Sequence, residues 1–268
     1  MNKPNNRKIE IMGILNCTPD SFSDGGRFMN IDALKSRIDE IASDETDIID
    51  IGGESSRPGA QQVPVDEEWR RIEPAILYCK KNYPNLKISI DTVKSEIAVR
   101  SIDAGADIIN DISGGDYDPL MVNSLSKTGI PIIIMHMKGT PLTMQNNPVY
   151  QNVITEISEY LAAKISICDS LNVKVYAVDP GIGFGKTPEH NRLILNNLDR
   201  FTSFNLPLLI GISRKSLFKS LFDLEVTERD IPSALLESML LFKGASIIRT
   251  HNTRNGYYIK KLFGYLGH

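Results

Sequence analysis

The segment Gly211-Ile212-Ser213-Arg214-Lys215-Ser216 precedes a predicted helix opening at Leu217. Two cations and two hydroxyls at a helix start suit an anion, because unpaired N–H groups and the positive end of the helix dipole point there. Further on, Ile248-Arg249-Thr250-His251 places Arg249 and His251 two residues apart, on one face of a strand. Such a pair can hold phosphate, although a structural ion pair is the alternative for Arg249. Gly52-Gly53-Glu54-Ser55-Ser56-Arg57-Pro58-Gly59 joins close-approach glycines to hydroxyls and a guanidinium able to fork onto phosphate. A solvated arginine in a turn is the plainer account of Arg57. Asp91-Thr92 and Asn110-Asp111 offer carboxylates and amides suited to a flat heterocycle with alternating donors and acceptors, or else to helix capping. Asp179-Pro180-Gly181-Ile182-Gly183-Phe184-Gly185-Lys186-Thr187 lacks the spacing of a nucleotide-binding loop. What it contributes is an acid, Asp179, and an aromatic ring, Phe184, held between glycines and able to project into a pocket.

These groups occupy equivalent places. Each stands where a short β-branched run stops: Asn16, Glu54 just past a Gly-Gly pair, Asp91, Asn110 with Asp111, His136, Asp179, Ser213, and Arg249 with His251. The runs predict strands over 9–16, 47–52, 87–91, 107–112, 131–136, 174–179, 207–212 and 245–251. Amphipathic segments between them predict helices over 31–43, 67–82, 95–104, 153–171, 190–197 and 231–242. Eight βα alternations without a break in composition read as one parallel α/β domain, a (β/α)₈ TIM barrel over residues 1–268. All strand C-termini then open on one face, so the polar ends converge there as the active site. A doubly wound open sheet competes on periodicity alone.

The chain has 268 residues, 41% hydrophobic and 24% charged, with 30 basic against 33 acidic side chains and a net charge of −3. No basic block suggests nucleic acid as a partner. Cys17, Cys79 and Cys168 are far apart and fit no zinc spacing, so reduced thiols in a cytoplasmic protein are expected. Cys17 has no neighbouring activator and reads as a bystander. The first ten residues are polar, and the longest apolar stretches, such as 130–135, are too short for a bilayer. No membrane association is expected.

The ordered segments resemble those of dihydropteroate synthases. The likeness runs from Asn16-Cys17-Thr18-Pro19-Asp20-Ser21-Phe22-Ser23-Asp24-Gly25-Gly26 through Glu54-Ser55-Ser56-Arg57-Pro58-Gly59, Asp91-Thr92, Asn110-Asp111 and Met135-His136-Met137-Lys138-Gly139-Thr140-Pro141. It continues through Asp179 to Gly185, Ser213-Arg214-Lys215-Ser216 and Arg249-Thr250-His251. It implies a homodimeric transferase of folate biosynthesis that uses Mg²⁺. Such an enzyme condenses 6-hydroxymethyl-7,8-dihydropterin pyrophosphate with 4-aminobenzoate, giving 7,8-dihydropteroate and diphosphate. It further implies that Asp91, Asn110, Asp179 and Lys215 bind the pterin. Asn16, Arg57, Arg249 and His251 would hold the diphosphate, Asn16 through the metal. Phe22, Ser56, Arg57, Pro58, Phe184, Lys215 and Ser216 would form the 4-aminobenzoate site. Sulfonamides mimic 4-aminobenzoate, so the chain is expected to be their target.

The implied chemistry is coherent: an SN1-like loss of diphosphate leaves a pterin cation beside Asp91 and Asp179, while Arg249, His251 and Mg²⁺ stabilise the leaving anion. On this view Asp91, Asp179, Lys215, Arg249 and His251 are the catalytic set. Ser56, Cys17 and Asn252-Thr253 depart from the usual Thr, Val and Asp-Val of the family. Two rivals share the pterin pocket, a corrinoid methyltransferase domain and a degenerate binder. The Ser213-Arg214-Lys215-Ser216 segment together with the Phe22 and Arg57 loops argues against the first, and the presence of Asn16, Arg57, Lys215 and Arg249 argues against the second.

Overall fold

A computed structural model describes residues 8–18 and 30–267. Phe22 and the other loop residues 19–29 lie outside the described residues. Eight parallel strands follow in order: β1 Glu10–Asn16, β2 Ile48–Gly52, β3 Lys87–Asp91, β4 Ile108–Asp111, β5 Ile132–Met135, β6 Val175–Asp179, β7 Leu209–Ile210 and β8 Ile247–Thr250. They pair as β6-β5-β4-β3-β2-β1-β8-β7. A parallel bridge between Val178 and Leu208 brings the two ends of that order together, so the sheet is a nearly closed barrel. β7 is two residues long where the sequence predicts six. Pro207 has no N–H to give to the ladder, and past Ile210 the chain leaves the sheet toward the Ser213 segment.

The outer helices are α1 Ile31–Ser43, α2 Val65–Asn82, α3 Ser95–Asp103, α4 Met121–Leu125, α5 Val153–Ser170, α6 Pro188–Asn196, α7 Leu217–Phe222, α8 Asp230–Phe242 and α9 Thr253–Tyr265. α1 opens on the Asn30 side chain, which accepts from the backbone N–H groups of Asp32 and Ala33, and α5 opens on Asn152 in the same way. α9 is absent from the sequence-based prediction. Gly256 weakens its helical pattern, yet a Cβ there would lie 2.7 Å from Ile11 Cγ2, so the glycine is what lets α9 seat against β1.

Alternation along the strands builds the barrel interior in layers. Lys87, Tyr176 and Glu10 interlock at the base: Tyr176 Oη donates to Glu10 Oε2 at 2.6 Å, and Lys87 Nζ donates to Glu10 Oε1 at 3.1 Å. Above them Met12, Ile48, Ile108, Ile133, Ala177, Leu209 and Ile247 form an apolar plug. One step further toward the strand C-termini the same faces carry Asp50, Ser89, Asn110 and Arg249. The floor of the mouth is therefore polar and rests on a dry layer.

Candidate active site

Asp50 is fully buried and organises that floor. Its Oδ1 accepts from Ser89 Oγ at 2.7 Å, and its Oδ2 accepts from Asn110 Nδ2 at 3.0 Å and from Arg249 Nε at 2.6 Å. Arg249 Nη2 also donates to Asp91 Oδ2 at 2.6 Å, so one guanidinium joins β8 to β2 and β3. Burial alone would lower the Arg249 pKa, but the Asp50 and Asp91 carboxylates outweigh it and hold the guanidinium firmly charged. Asp91 moves the opposite way from most ion-paired acids. Burial raises its pKa, Arg249 opposes that, and the nearby acids led by Asp50 reinforce it. One cation shared by two carboxylates leaves the floor short of positive charge.

Asp179 ends β6 with Oδ1 accepting from the Gly181 N–H at 2.7 Å. Lys215 lies opposite, its Nζ donating to the Ile182 carbonyl and standing 4.5 Å from the centroid of the Phe184 ring. Burial raises Asp179 against the pull of Lys215, Lys186 and Arg249, and burial lowers Lys215 to about 8 against the pull of Asp179. Asp179, Lys215 and Arg249 thus share one electrostatic environment.

The Gly-rich loop is shaped by contact with the loop after β5. Gly181 and Gly185 have φ of +70° and +64°, and a Cβ on them would fall 2.0 Å from the His136 carbonyl oxygen and 2.3 Å from the Lys138 carbonyl oxygen. Gly181→Ala is expected to lower stability by about 1–3 kcal/mol, since both a left-handed backbone and a backbone clash oppose it. Thermal unfolding with an unchanged midpoint would refute that close packing. Lys186, 2% exposed, ties the same two loops by donating to the Phe184 carbonyl at 2.9 Å and the His136 carbonyl at 3.2 Å. His136 Nδ1 lies 3.0 Å from Lys186 Nζ, and burial lowers the imidazole to about 3, so this strand-end histidine serves packing as a neutral ring.

His251 projects from the end of β8. Its Nδ1 lies 3.0 Å from Ser213 Oγ, which also accepts from the His251 backbone N–H at 3.1 Å. Burial, with Arg214 and Arg249, lowers the imidazole to about 3. Asn16 is half-buried at the end of β1. Among the described residues no group of three or more His, Cys, Asp or Glu is placed to hold a metal by itself. The amide oxygen of Asn16 is a hard donor, however, and Mg²⁺ commonly takes few protein ligands and completes its shell with water and substrate phosphates. The donor set fits a cation brought in with a diphosphate.

The anion set expected at Ser213–Ser216 is only partly assembled. Arg214 is turned away from it, its Nε and Nη2 donating to Asp230 at 2.6 and 2.8 Å. Ser216 is exposed at the start of α7. Ser56 is half-buried in a cleft between the loops after β2 and β5, with Glu54, Asp91, Thr92, Ile112 and Pro141 also lining it. The Gly59 N–H donates to the Pro141 carbonyl at 3.0 Å across that cleft. Arg57 and Pro58 are exposed on its rim. Cys17 is buried, and burial pushes its thiol far above the usual range, in keeping with a bystander. Asn252 caps α9 by accepting from the Asn255 N–H at 3.0 Å, and its Nδ2 donates to Asp230 at 3.1 Å. The sequence reading passed over Asp50, Lys94, Lys186 and Glu237. Lys94 Nζ donates to Glu54 Oε2 at 2.6 Å and pairs with buried Glu68, bracing the loop that carries Ser56.

A family model described as pterin binding enzyme matches residues 12–251. The dihydropteroate synthase of Escherichia coli (strain K12) is 42% identical over 247 residues, covering 91% of this chain and 86% of that protein. This chain belongs to the dihydropteroate synthase family. Solved dihydropteroate synthase structures superpose closely. That of Yersinia pestis with a sulfonamide drug has a TM-score of 0.90 and 36% identity, covering 97% of this chain and 94% of that one. That of Xanthomonas albilineans with 4-aminobenzoic acid has a TM-score of 0.89 and 32% identity, covering 97% and 93%. Membership in the dihydropteroate synthases accords with the barrel and with a polar mouth at the strand C-termini.

Proposed function

We propose that this chain condenses 6-hydroxymethyl-7,8-dihydropterin pyrophosphate with 4-aminobenzoate, releasing 7,8-dihydropteroate and diphosphate in folate synthesis. The observation that carries the reading is the buried mouth in which Asp91 and Asp179 stand among Arg249 and Lys215. Dihydropteroate synthases of other organisms solved with a sulfonamide drug and with 4-aminobenzoic acid support the choice of second substrate.

In the proposed reaction the bond from the exocyclic CH₂ to the diphosphate oxygen breaks, and its electron pair leaves with the anion. The pterin becomes a delocalised cation, opposed by the carboxylates of Asp91 and Asp179. Asn110 and Lys215 complete recognition of the ring. Arg249 and neutral His251 supply donors to the departing diphosphate, with Arg57 from the loop rim. The arylamine lone pair then forms the C–N bond, and its proton passes to water. Ser56, Arg57, Pro58, Phe184, Lys215 and Ser216, together with Phe22, would hold the benzoate. Bound Mg²⁺, with Asn16 as its protein ligand, would supply positive charge beside the leaving oxygens.

A homodimer is part of the same reading. Ile231, Leu235, Met239 and Phe242 make an exposed stripe along α8 beside exposed Tyr258 and Leu262 of α9, apolar surface suited to a second copy. No described helix is long and apolar enough to cross a membrane. Three buried, unpaired cysteines support a reducing, cytoplasmic setting.

Purified protein given both substrates and Mg²⁺ is expected to release diphosphate and dihydropteroate in equal amounts, with inhibition by a sulfonamide that 4-aminobenzoate relieves. Pterin binding without product would favour a degenerate binder instead.

A further inference from the structure

The Gly-rich loop after β6 carries four consecutive carbonyls that each accept from a different side chain. The Ile182 carbonyl accepts from Lys215 Nζ, and the Gly183 carbonyl from Gln145 Nε2 at 2.8 Å. The Phe184 carbonyl accepts from Lys186 Nζ at 2.9 Å, and the Gly185 carbonyl from Tyr150 Oη at 2.8 Å. N–H groups of the same segment are engaged as well: Gly183 donates to Asn191 Oδ1 at 2.8 Å, and Phe184 to the Gly181 carbonyl at 3.1 Å. Two of the four side-chain donors, Gln145 and Tyr150, belong to the loop after β5, and the proposed chemistry gives them no part.

Phe184 stands between Gly183 and Gly185, with φ of +87° and +64°. Glycines on both sides leave the backbone many directions, so nothing local to the chain fixes where the Phe184 ring points. The bonds to the flanking carbonyls fix it. Both donors from the β5 loop are themselves held in place. The half-buried Tyr150 ring meets His190 at 4.9 Å between centroids, nearly perpendicular, and Lys138 Nζ lies 4.1 Å from its centroid. Gln145 is exposed, but it follows Met144, which is 3% exposed, in a turn where the Thr140 carbonyl accepts from the Thr143 and Met144 N–H groups at 2.9 and 2.7 Å.

We infer that Tyr150 and Gln145 are positioning residues for Phe184, and that through it they set the affinity for the arylamine substrate and not for the pterin. The part given to Phe184 rests on the functional reading above; the hold of the two side chains on its loop does not. The pterin groups have separate anchors, Asp179 on the Gly181 N–H and Asn110 on Asp50, and neither depends on the Gly183 or Gly185 carbonyl. The two donors differ in weight. Gly185 is buried, so its carbonyl has no water to replace the Tyr150 hydroxyl, whereas Gly183 is partly open to solvent.

Steady-state kinetics on full-length native, Tyr150→Phe, Gln145→Ala and Tyr160→Phe protein test this, together with hydrogen exchange of the segment 181–187. Tyr150→Phe is expected to raise KM for 4-aminobenzoate roughly three- to tenfold, the effect of one buried acceptor left unpaired, with KM for the pterin pyrophosphate and kcat within about twofold of native. Gln145→Ala should raise the same KM by about twofold, since water can take its place. Exchange over 181–187 should quicken in both variants. Tyr160→Phe is the control. Tyr160, on α5, also packs near His136, at 4.9 Å between centroids, but its hydroxyl donates to the Ser113 carbonyl and Asp116 on another loop, at 2.7 and 2.9 Å. It should move neither readout. An unchanged KM for 4-aminobenzoate in Tyr150→Phe, or an equal rise in Tyr160→Phe, would overturn the inference. Native protein that forms no dihydropteroate, with exchange still quickened in Tyr150→Phe, would instead overturn the functional reading and leave the attachment of the loop standing.

Discussion

Arg249→Met is expected to abolish dihydropteroate formation and to destabilise the fold by about 3–5 kcal/mol. The guanidinium is the cation bonded to both Asp50, wholly inside the barrel, and Asp91 at the mouth. Methionine fills similar space, so the loss measures charge and not a cavity. Without Arg249 the two acids face each other, and at least one must take up a proton to remain buried. The pH dependence has a definite sign. A carboxyl whose folded pKa is raised costs stability above its unfolded pKa, because folding then requires proton uptake. Asp91 already sits on that side in the native protein, and removing Arg249 raises it further. The variant should therefore lose most relative to native near neutral pH, and the gap should narrow as pH falls toward the ordinary carboxylate range. Thermal unfolding at two pH values checks this. An equal loss at both would mean that Asp50 and Asp91 do not depend on Arg249 for their charge. Arg249→Lys restores one positive charge but cannot fork onto two carboxylates, so it should recover stability in part and turnover poorly.

The barrel was readable because its strands are buried on both faces and spelled as isoleucine-rich runs, such as Ile48-Ile49-Asp50-Ile51. The rule that polar residues close each run located Asp91, Asn110, Asp179, Arg249 and His251 at one face. It passed over Asp50 because that acid sits inside a run, where it looks like an interruption. Its meaning depends on Arg249, 199 positions away, and no local pattern joins the two. Lys186 was hidden for the same reason: it lies on the loop after β6, and its partner His136 comes from the end of β5. The Ser213–Ser216 segment erred in the other direction. Adjacent cations suggested a joint anion site, but the left-handed backbone of Arg214, φ +58°, sends its neighbour's side chain elsewhere, and Arg214 pairs with Asp230 while Lys215 faces Asp179. Asn252 reads as a change beside the phosphate group, and in the fold it is also the cap of α9.

Asp179→Asn is expected to leave the barrel intact while weakening pterin binding roughly 10- to 100-fold, the loss of a buried charged hydrogen-bond partner. Asparagine keeps an oxygen for the Gly181 N–H, so the loop that closes against His136 retains its anchor and the unfolding midpoint should move little. What disappears is the negative charge opposite Lys215. Burial holds Lys215 down at about 8 with Asp179 pulling it back up, so neutralising Asp179 must lower the lysine further. An alkaline limb of pterin affinity, expected in native protein from loss of the Lys215 proton, should then move to lower pH in the variant. Calorimetry with the dihydropterin across neutral to alkaline pH separates the two effects. Near-native affinity would remove Asp179 from the pterin site. Weakened affinity with an unmoved alkaline limb would show that Lys215 and Asp179 bind the ring independently, and the charge opposition assigned to the mouth would have to be carried by Asp91 and Arg249 alone.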